Sequence, residues 1–176
     1  AGIGMQSATV KWIDFTTGEE NTLVVALNGT TPVVITTNGY LPNLVEGASY
    51  GSDGKNVGLI SLGYGPITGG VPANILSQIA IGANIAQQAI YTVPAGKYLD
   101  ITRAYLSGSA SCTMQLREVL FGVGGFRVRT SAFGMSAELL LSDAVITIQP
   151  RSTVYGFVIS NGGSVTASAL VKGFLR

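Results

Sequence analysis

The sequence predicts an all-β fold, an antiparallel β-sandwich preceded by an extended arm that contains a β-hairpin. The first observation is composition: the 176 residues are 47% hydrophobic and only 11% charged, and they include 24 glycines. The second is a period-two alternation of apolar and polar residues in the second half of the chain, the pattern of strands with one buried face. The third is the regular placement of Gly, Pro, Asn and Ser clusters between these segments, which favours a sandwich or a barrel.

The N-terminal arm is predicted to span residues 1–56 and to contain one hairpin. Its segment NTLVVALNGTTPVVITTNGY holds two β-branched runs on either side of Asn28-Gly29, a dipeptide favoured in tight hairpin turns. Residues 41–56 are rich in Gly, Asn, Pro and Ser and are expected to form a loop or linker. The sandwich domain is therefore predicted to cover residues 57–176.

The strands of the sandwich are predicted mainly after residue 88. Residues 57–88 fit either short strands joined by glycine-rich corners or a short helix near residues 72–80. Beyond them the alternation predicts seven strands, at 89–93, 98–106, 112–121, 126–132, 138–149, 153–160 and 164–174, of which the fifth is either continuous or broken at Ser142-Asp143. The segments between them are PAGK, GSAS, GVGG, FGMS, QPRS and NGG, and each is a cluster of turn-forming residues.

Alternation also assigns faces to these strands. The apolar face of the strand 112–121 holds Cys112, Met114, Leu116 and Leu120. The run TVYGFVIS, by contrast, is apolar on both faces, with Tyr155, Phe157 and Ile159 on one of them. A strand of this kind is expected where both faces are buried, for instance at a subunit interface.

Catalytic and metal-binding patterns are not found in the sequence. The chain has no histidine and a single cysteine, which removes the Ser-His-Asp and Cys-His nucleophile systems and the usual zinc sites. The pair Glu19-Glu20 is interpreted as solvated charge in a turn rather than as the two carboxylates of a glycosidase, and Asp53 lacks the neighbours of a calcium loop. We therefore expect no enzymatic activity, no cofactor and no metal, and a buried, unreactive Cys112.

Charge is distributed unevenly along the chain. Residues 1–87 carry a net charge of −3 and residues 88–176 a net charge of +4, which fits head-to-tail packing between copies. Neither half has the basic density of a nucleic-acid-binding domain. No secretory signal opens the sequence and no apolar stretch reaches the length of a membrane span, which predicts cytoplasmic synthesis without membrane association. So few charges favour self-association; the alternative is a monomer with a polar Ser, Thr and Gly surface.

Three runs in the second half of the chain carry a family resemblance. They are QQAIYTVPAGKYLDITRAYLSG, GFRVRTSAFGMS and TVYGFVISNGGSVTASALVKGFLR, within residues 87–176. This half resembles the jelly-roll structural proteins of tailed-phage virions, which include capsid decoration proteins and head- or tail-fibre domains. The resemblance implies a jelly-roll-like sandwich, a homotrimer without enzymatic activity, and a partner that is the major capsid protein or another virion protein. It also implies a protein made in the host cytoplasm and carried on the virion.

Three arginines are predicted to lie together on the polar face of the sandwich. Phe126 and Val128 are expected on the core face of their strand, and an antiparallel pairing then places Arg117 near Arg129, with Arg127 beside them. Three guanidiniums with no acid on the same face indicate an anionic partner. That partner is the acidic arm of another copy, a capsid surface or phosphate. The alternative is three solvated arginines that contribute only to solubility.

Three classes of function are compatible with the sequence. The first is a virion structural protein, a trimer anchored by its arm, whose assembly contacts are Arg117, Arg127, Arg129, Tyr155, Phe157 and Ile159. The second is a tail-fibre module that recognises a host saccharide through the sandwich loops, but the only tryptophan, Trp12, lies in the arm. The third is an enzyme on a jelly-roll scaffold, which the lack of histidine disfavours. We expect the first, with no specific nucleic-acid partner.

Overall fold

The computed structural model describes residues 2–123, 125–140, 145–160 and 165–176. Across these ranges the chain forms β-strands and no helix. Every strand pairing within them is antiparallel. The all-β, antiparallel fold class predicted from the sequence is confirmed.

The chain divides into two compact units, Ala1–Gln88 and Ala89–Arg176. The strands of the first unit are β1 (Met5–Asp14), β2 (Glu20–Ala26), β3 (Gly39–Tyr50), β4 (Ile60–Thr68) and β5 (Val71–Ile79). The strands of the second unit are β6 (Ile90–Thr92), β7 (Leu99–Val119), β8 (Arg127–Leu140), β9 (Ile146–Ile148), β10 (Thr153–Ser160) and β11 (Ala167–Leu175).

The division between the units differs from the predicted boundary after residue 56. Ile79 and Ala86, which that boundary places in the sandwich, pack in one core with Met5, Val10 and Val45 of the N-terminal region. The segment predicted to be a linker contains most of β3, which pairs with β1 along its length. Apolar side chains on both sides of the predicted boundary thus bury one another, and the N-terminal region is a unit with its own core rather than an extended arm.

The hairpin of the first unit lies elsewhere than predicted. β1 pairs with β2 and β3 in a three-stranded sheet of order β2-β1-β3, and β4 pairs with β5 in a separate two-stranded sheet. Asn28 and Gly29 do form a turn, in which the Thr31 amide donates to the Asn28 carbonyl oxygen at 3.0 Å. The run after this turn is not a strand, because β2 takes β1 as its partner and Pro32 cannot donate to a ladder.

In the second unit a single long strand, β7, is central to the whole sheet. On one edge, β11 pairs along Leu99–Gly108 and β10 along Cys112–Val119. On the other edge, β9 pairs along Leu99–Ile101 and β8 along Arg103–Glu118. β6 then pairs with the far edge of β10. β7 therefore exchanges one partner for another halfway along its length.

The exchange occurs at residues 108–111, the GSAS segment predicted to be a turn. Ser107 pairs with Ser136 and Cys112 with Gly134, so the four residues 108–111 of β7 lie opposite a single residue of β8. Ile101 and Leu116 would be about 50 Å apart on a straight strand, yet they pack in the same core cluster. The segment is thus a corner at which the strand bends, so that the two halves of the sheet pack face to face as a sandwich.

The corner in β7 also affects the neighbouring strand β8, and so the outcome of other strand and turn predictions. The FGMS segment, predicted to be a turn, lies within β8, because β8 passes the corner alongside β7. The predicted strand 138–149 is divided between the end of β8 and the short β9, and its residues 141–144 lie outside the described residues. The NGG segment also lies outside them. The strand predicted at 153–160 coincides with β10.

Candidate functional site

The sheet half beyond the corner has one buried face and one exposed face. It consists of β6, β10 and the adjoining parts of β7 and β8. Cys112, Met114 and Leu116 of β7 are buried on its inner face, as the alternation predicted, and Cys112 is a free, buried thiol. Across the ladder from the outward side chains of β7 lie Tyr155, Phe157 and Ile159 of β10.

We call the exposed side of this sheet half the outer face. Its cross-strand rows are set by the pairings of β7 with β10 and β8. The residues of the outer face are Thr113, Gln115, Arg117, Phe126, Val128, Ser131, Phe133, Tyr155, Phe157 and Ile159. Three of the predicted assembly residues on β10 and one on β7 therefore lie together, and Phe126, Val128 and Phe133 join them.

The outer face is largely apolar and accessible. Exposed fractions of its large apolar side chains run from 38% for Phe157 to 71% for Phe133. Taking an aromatic side chain as roughly 200 Å² and an aliphatic one as somewhat less, the accessible apolar area is about 450 Å². Patches of this size on a monomer are commonly interaction sites. The strand TVYGFVIS is thus buried on its inner side and open on its outer side.

Arg117 is held at the centre of the outer face. Its guanidinium carbon lies 4.0 Å from the ring centroid of Phe126 and 3.5 Å from that of Phe157. Its Nε donates a hydrogen bond to Gln115 Oε1 at 2.8 Å. Only 9% of the residue is exposed. Stacking between two rings contributes about 0.5–2 kcal/mol for each ring and fixes the orientation of the guanidinium.

The predicted grouping of three arginines does not form. The pairing shifts between Leu116↔Thr130 and Arg117↔Val128, which leaves Arg129 as an extra residue in β8. The Arg129 guanidinium turns to the acid Glu118, while Arg117 stays on the outer face. The like-charge cluster is replaced by a stacked Arg117, a paired Arg129 and an exposed Arg127, which lies opposite Glu118 in the ladder.

The same bulge reverses the faces predicted for Phe126 and Val128. Both side chains are exposed and belong to the outer face instead of the core. A one-residue insertion in a strand puts even-numbered side chains before it and even-numbered side chains after it on opposite sides of the sheet, so Val128 points outward while Thr130 points inward. The sequence alternation was correct for β7 but did not transfer across the bulge to β8.

Glu118 forms an ion pair that the sequence pattern did not identify. The residue is fully buried, and its Oε2 lies 3.6 Å from Arg129 Nη1. The Gln149 amide donates to Glu118 Oε1 at 3.3 Å, and Arg129 also donates to the Thr147 carbonyl oxygen at 2.9 Å. The sequence does indicate its burial, because the alternation along β7 places Glu118 on the same face as Met114 and Leu116.

Hydrogen bonds lower the pKa of two further carboxylates, Asp14 and Asp100. In the first unit the amide of Thr17 lowers the pKa of Asp14 by donating to its carboxylate. In the second unit the Thr147 hydroxyl and then Arg176 lower the pKa of Asp100. Arg176 Nε donates to Asp100 at 2.6 Å. These contacts are structural.

Metal sites and membrane spans are two other features on which a function could rest. In the described part of the chain, no three or more His, Cys, Asp or Glu side chains gather closely enough to hold a metal ion. Within the same ranges no helix has the length and apolar character needed to cross a bilayer.

Comparison with protein-family models, with curated proteins and with solved structures found no match to this chain. The class of the protein is accordingly defined by its own features. It is an all-β protein whose second unit is sandwich-like and carries an accessible aromatic face.

Proposed function

We propose that this protein is a non-enzymatic structural protein of a virion, which self-associates as a homotrimer and binds the particle surface through the major capsid protein or another virion protein. The single observation that carries the self-association is the outer face, with Phe126, Phe133 and Phe157 exposed around Arg117. The resemblance of residues 87–176 to jelly-roll proteins of tailed phages supports the virion setting and the role of capsid decoration or head fibre.

The energetics of the outer face support a protein partner. Burying about 450 Å² of apolar surface is worth roughly 11 kcal/mol at about 25 cal/mol per Å². Association itself costs about 4–15 kcal/mol. A stable interface buries about 800 Å² on each partner, so the outer face supplies the centre of such an interface and a polar rim the remainder.

The low content of charged residues supports self-association or a permanent place in a larger assembly. Only 11% of the residues are charged, against about 25% in an average soluble protein. A surface of this kind is best covered by further copies of the chain or by a larger assembly.

A second candidate function is a tail-fibre module that recognises a host saccharide. The observation that favours it is the pair of exposed rings, Phe121 and Phe126, on either side of the loop between β7 and β8. Aromatic rings at a loop provide apolar platforms on which sugar rings can stack. Binding to an array of bacterial surface glycans would support this function, and it would be retained by a variant that no longer self-associates.

The test of the first function is the mass of the protein in solution. Light scattering of the 18.1 kDa chain is expected to show a trimer at micromolar concentration. Phe157→Asp should give a monomer, because it places a charge in the apolar centre of the interface. Leu170→Asp is the matched control, since Leu170 is also apolar and exposed but lies on β11, outside the outer face.

Circular dichroism of both variants separates loss of assembly from loss of fold. Cosedimentation with purified particles then tests attachment. A wild-type chain that stays a monomer at tens of micromolar and does not sediment with any particle would overturn the proposed function.

A further inference from the structure

We infer that the outer face binds the acidic N-terminal unit of a second copy, head to tail, and that Arg117 receives a carboxylate from the turn between β1 and β2. This inference rests on the proposed self-association and names the surface that completes it.

Arg117 requires an acceptor when the outer face is covered. Its Nε is used by Gln115, and the described residues supply no acceptor for its two terminal nitrogens. Water can solvate these nitrogens while the face is open. A purely apolar partner would strip that water without replacing its hydrogen bonds, which is costly for a charged group. The partner surface should therefore present a hydrogen-bond acceptor at its centre, and a carboxylate is the acceptor that also balances the charge.

A symmetric pairing of two outer faces does not meet this requirement. Among the described residues, the outer face carries Arg117 and no acid, and the nearest acid, Glu118, is buried on the inner face. A twofold interface brings the same patch from both copies together. It would place two guanidiniums in one apolar interface without a counter-charge. The geometry therefore favours an interface between two different surfaces.

The N-terminal unit offers the complementary surface. It contains two lysines and five acidic residues, which gives a net charge of −3, while the net charge of the second unit is +4. At the turn between β1 and β2, Glu19 is exposed and Phe15 is 54% exposed. The carboxylate of Asp14 accepts hydrogen bonds from Thr17 within the turn. The exposed acids among the described residues of this unit are Glu19 and Asp53. We assign Glu19 to Arg117, because the exposed part of the Phe15 ring adds apolar surface in the same turn.

A head-to-tail contact has a defined consequence for assembly. Each copy uses its outer face once and its acidic turn once, so the contact propagates until it closes as a ring. Three copies would close the trimer that is proposed above. Because the central contact is ionic, the assembly is expected to weaken as salt is added.

The inference is tested by mixing two full-length variants. Phe157→Asp disables the outer face, and Glu19→Lys reverses the charge of the turn. Each variant alone is expected to be a monomer. Their mixture is expected to form a 1:1 dimer, because each supplies the surface that the other lacks and the ring cannot close. Sedimentation velocity distinguishes these species by mass.

Variants that replace one charged side chain by a neutral one of similar size measure the contribution of each charge to the dissociation constant. Arg117→Gln and Glu19→Gln are each expected to raise the dissociation constant at least about tenfold. Arg127→Gln and Asp53→Asn change the net charge equally at exposed positions outside the contact, and they should change the dissociation constant less than about threefold.

The outcomes separate this inference from the proposed function. If the wild-type chain is a monomer, the proposed function fails and this inference fails with it. If the wild-type chain and Glu19→Lys both assemble while Phe157→Asp does not, self-association stands and the head-to-tail contact is overturned. The head-to-tail contact is likewise overturned if the mixture of variants remains monomeric.

Discussion

The buried pair of Glu118 and Arg129 allows a direct test of the energetics of the second unit. The perturbation is Arg129→Met, which keeps much of the side-chain length but removes the charge. Glu118 would then be a fully buried carboxylate with only the Gln149 amide as a donor. Arg127→Met is the matched control, because Arg127 stands opposite Glu118 in the ladder but is exposed.

The magnitude follows from the geometry of the pair. Two unit charges 3.6 Å apart attract by about 4–5 kcal/mol at an effective dielectric constant of about 20. Breaking a buried pair by removing one partner typically costs about 3–5 kcal/mol. The Arg129 side chain is 27% exposed, so water already weakens the attraction. We therefore expect Arg129→Met to cost about 2–3 kcal/mol, and Arg127→Met less than about 0.5 kcal/mol.

A double-mutant cycle isolates the interaction. Glu118→Gln keeps an oxygen for the Gln149 amide and is expected to cost about 1 kcal/mol. In the double variant the lone charge is gone, so its cost should fall short of the sum of the single costs by about 1–2 kcal/mol. Urea unfolding followed by circular dichroism gives these values. Single costs that add within about 0.3 kcal/mol, or a control as costly as Arg129→Met, would refute the reasoning.

Two further predictions concern acidity and the assignment of faces. Hydrogen bonds from Thr147 and from Arg176 lower the pKa of Asp100 in the folded state, so their stabilisation is present above the unfolded pKa and is lost as pH falls through the folded one. Urea midpoints measured from neutral to strongly acidic pH should therefore fall less steeply in Asp100→Asn. Leu116→Ala should cost about 2–5 kcal/mol and Val128→Ala less than about 0.5 kcal/mol in the dissociated protein; similar costs would return Val128 to the core.

Much of the second unit was predictable because its strands alternate cleanly. The inner positions Cys112, Met114 and Leu116 and the strand β10 follow from a period of two, which depends only on local geometry. The bulge at Arg129 was not predictable in this way. It depends on which residues of β7 and β8 lie opposite each other, and that register is decided by tertiary packing.

The corner in β7 shows a second limit of sequence reasoning. Gly, Ser and Ala in the GSAS segment permit a sharp change of direction, and the same composition serves a reversal or a bend. Which of the two forms depends on the partners that β10 and β11 provide from more than forty residues further along the chain. The boundary between the units has the same origin, since Ile79 joins its core through contacts distant in sequence.

The candidate site was predicted in part for related reasons. Tyr155, Phe157 and Ile159 were identified from an alternation that is apolar on both faces, and Arg117 from its parity on β7. Phe133 was missed because it falls in a segment that resembles a turn. The outer face is thus recognisable only after β8 is placed beside β7.

The shared strand β7 also determines how the second unit opens. Its first half lies in one layer and its second half in the other, and each half is hydrogen-bonded on both edges. We expect the two layers to open together, because both ladders share β7 and β8 runs alongside it through the corner. Amide hydrogens exchange through the openings that release them. The amides of Leu106 and Leu116 are therefore expected to exchange through one opening event, although they lie in different layers.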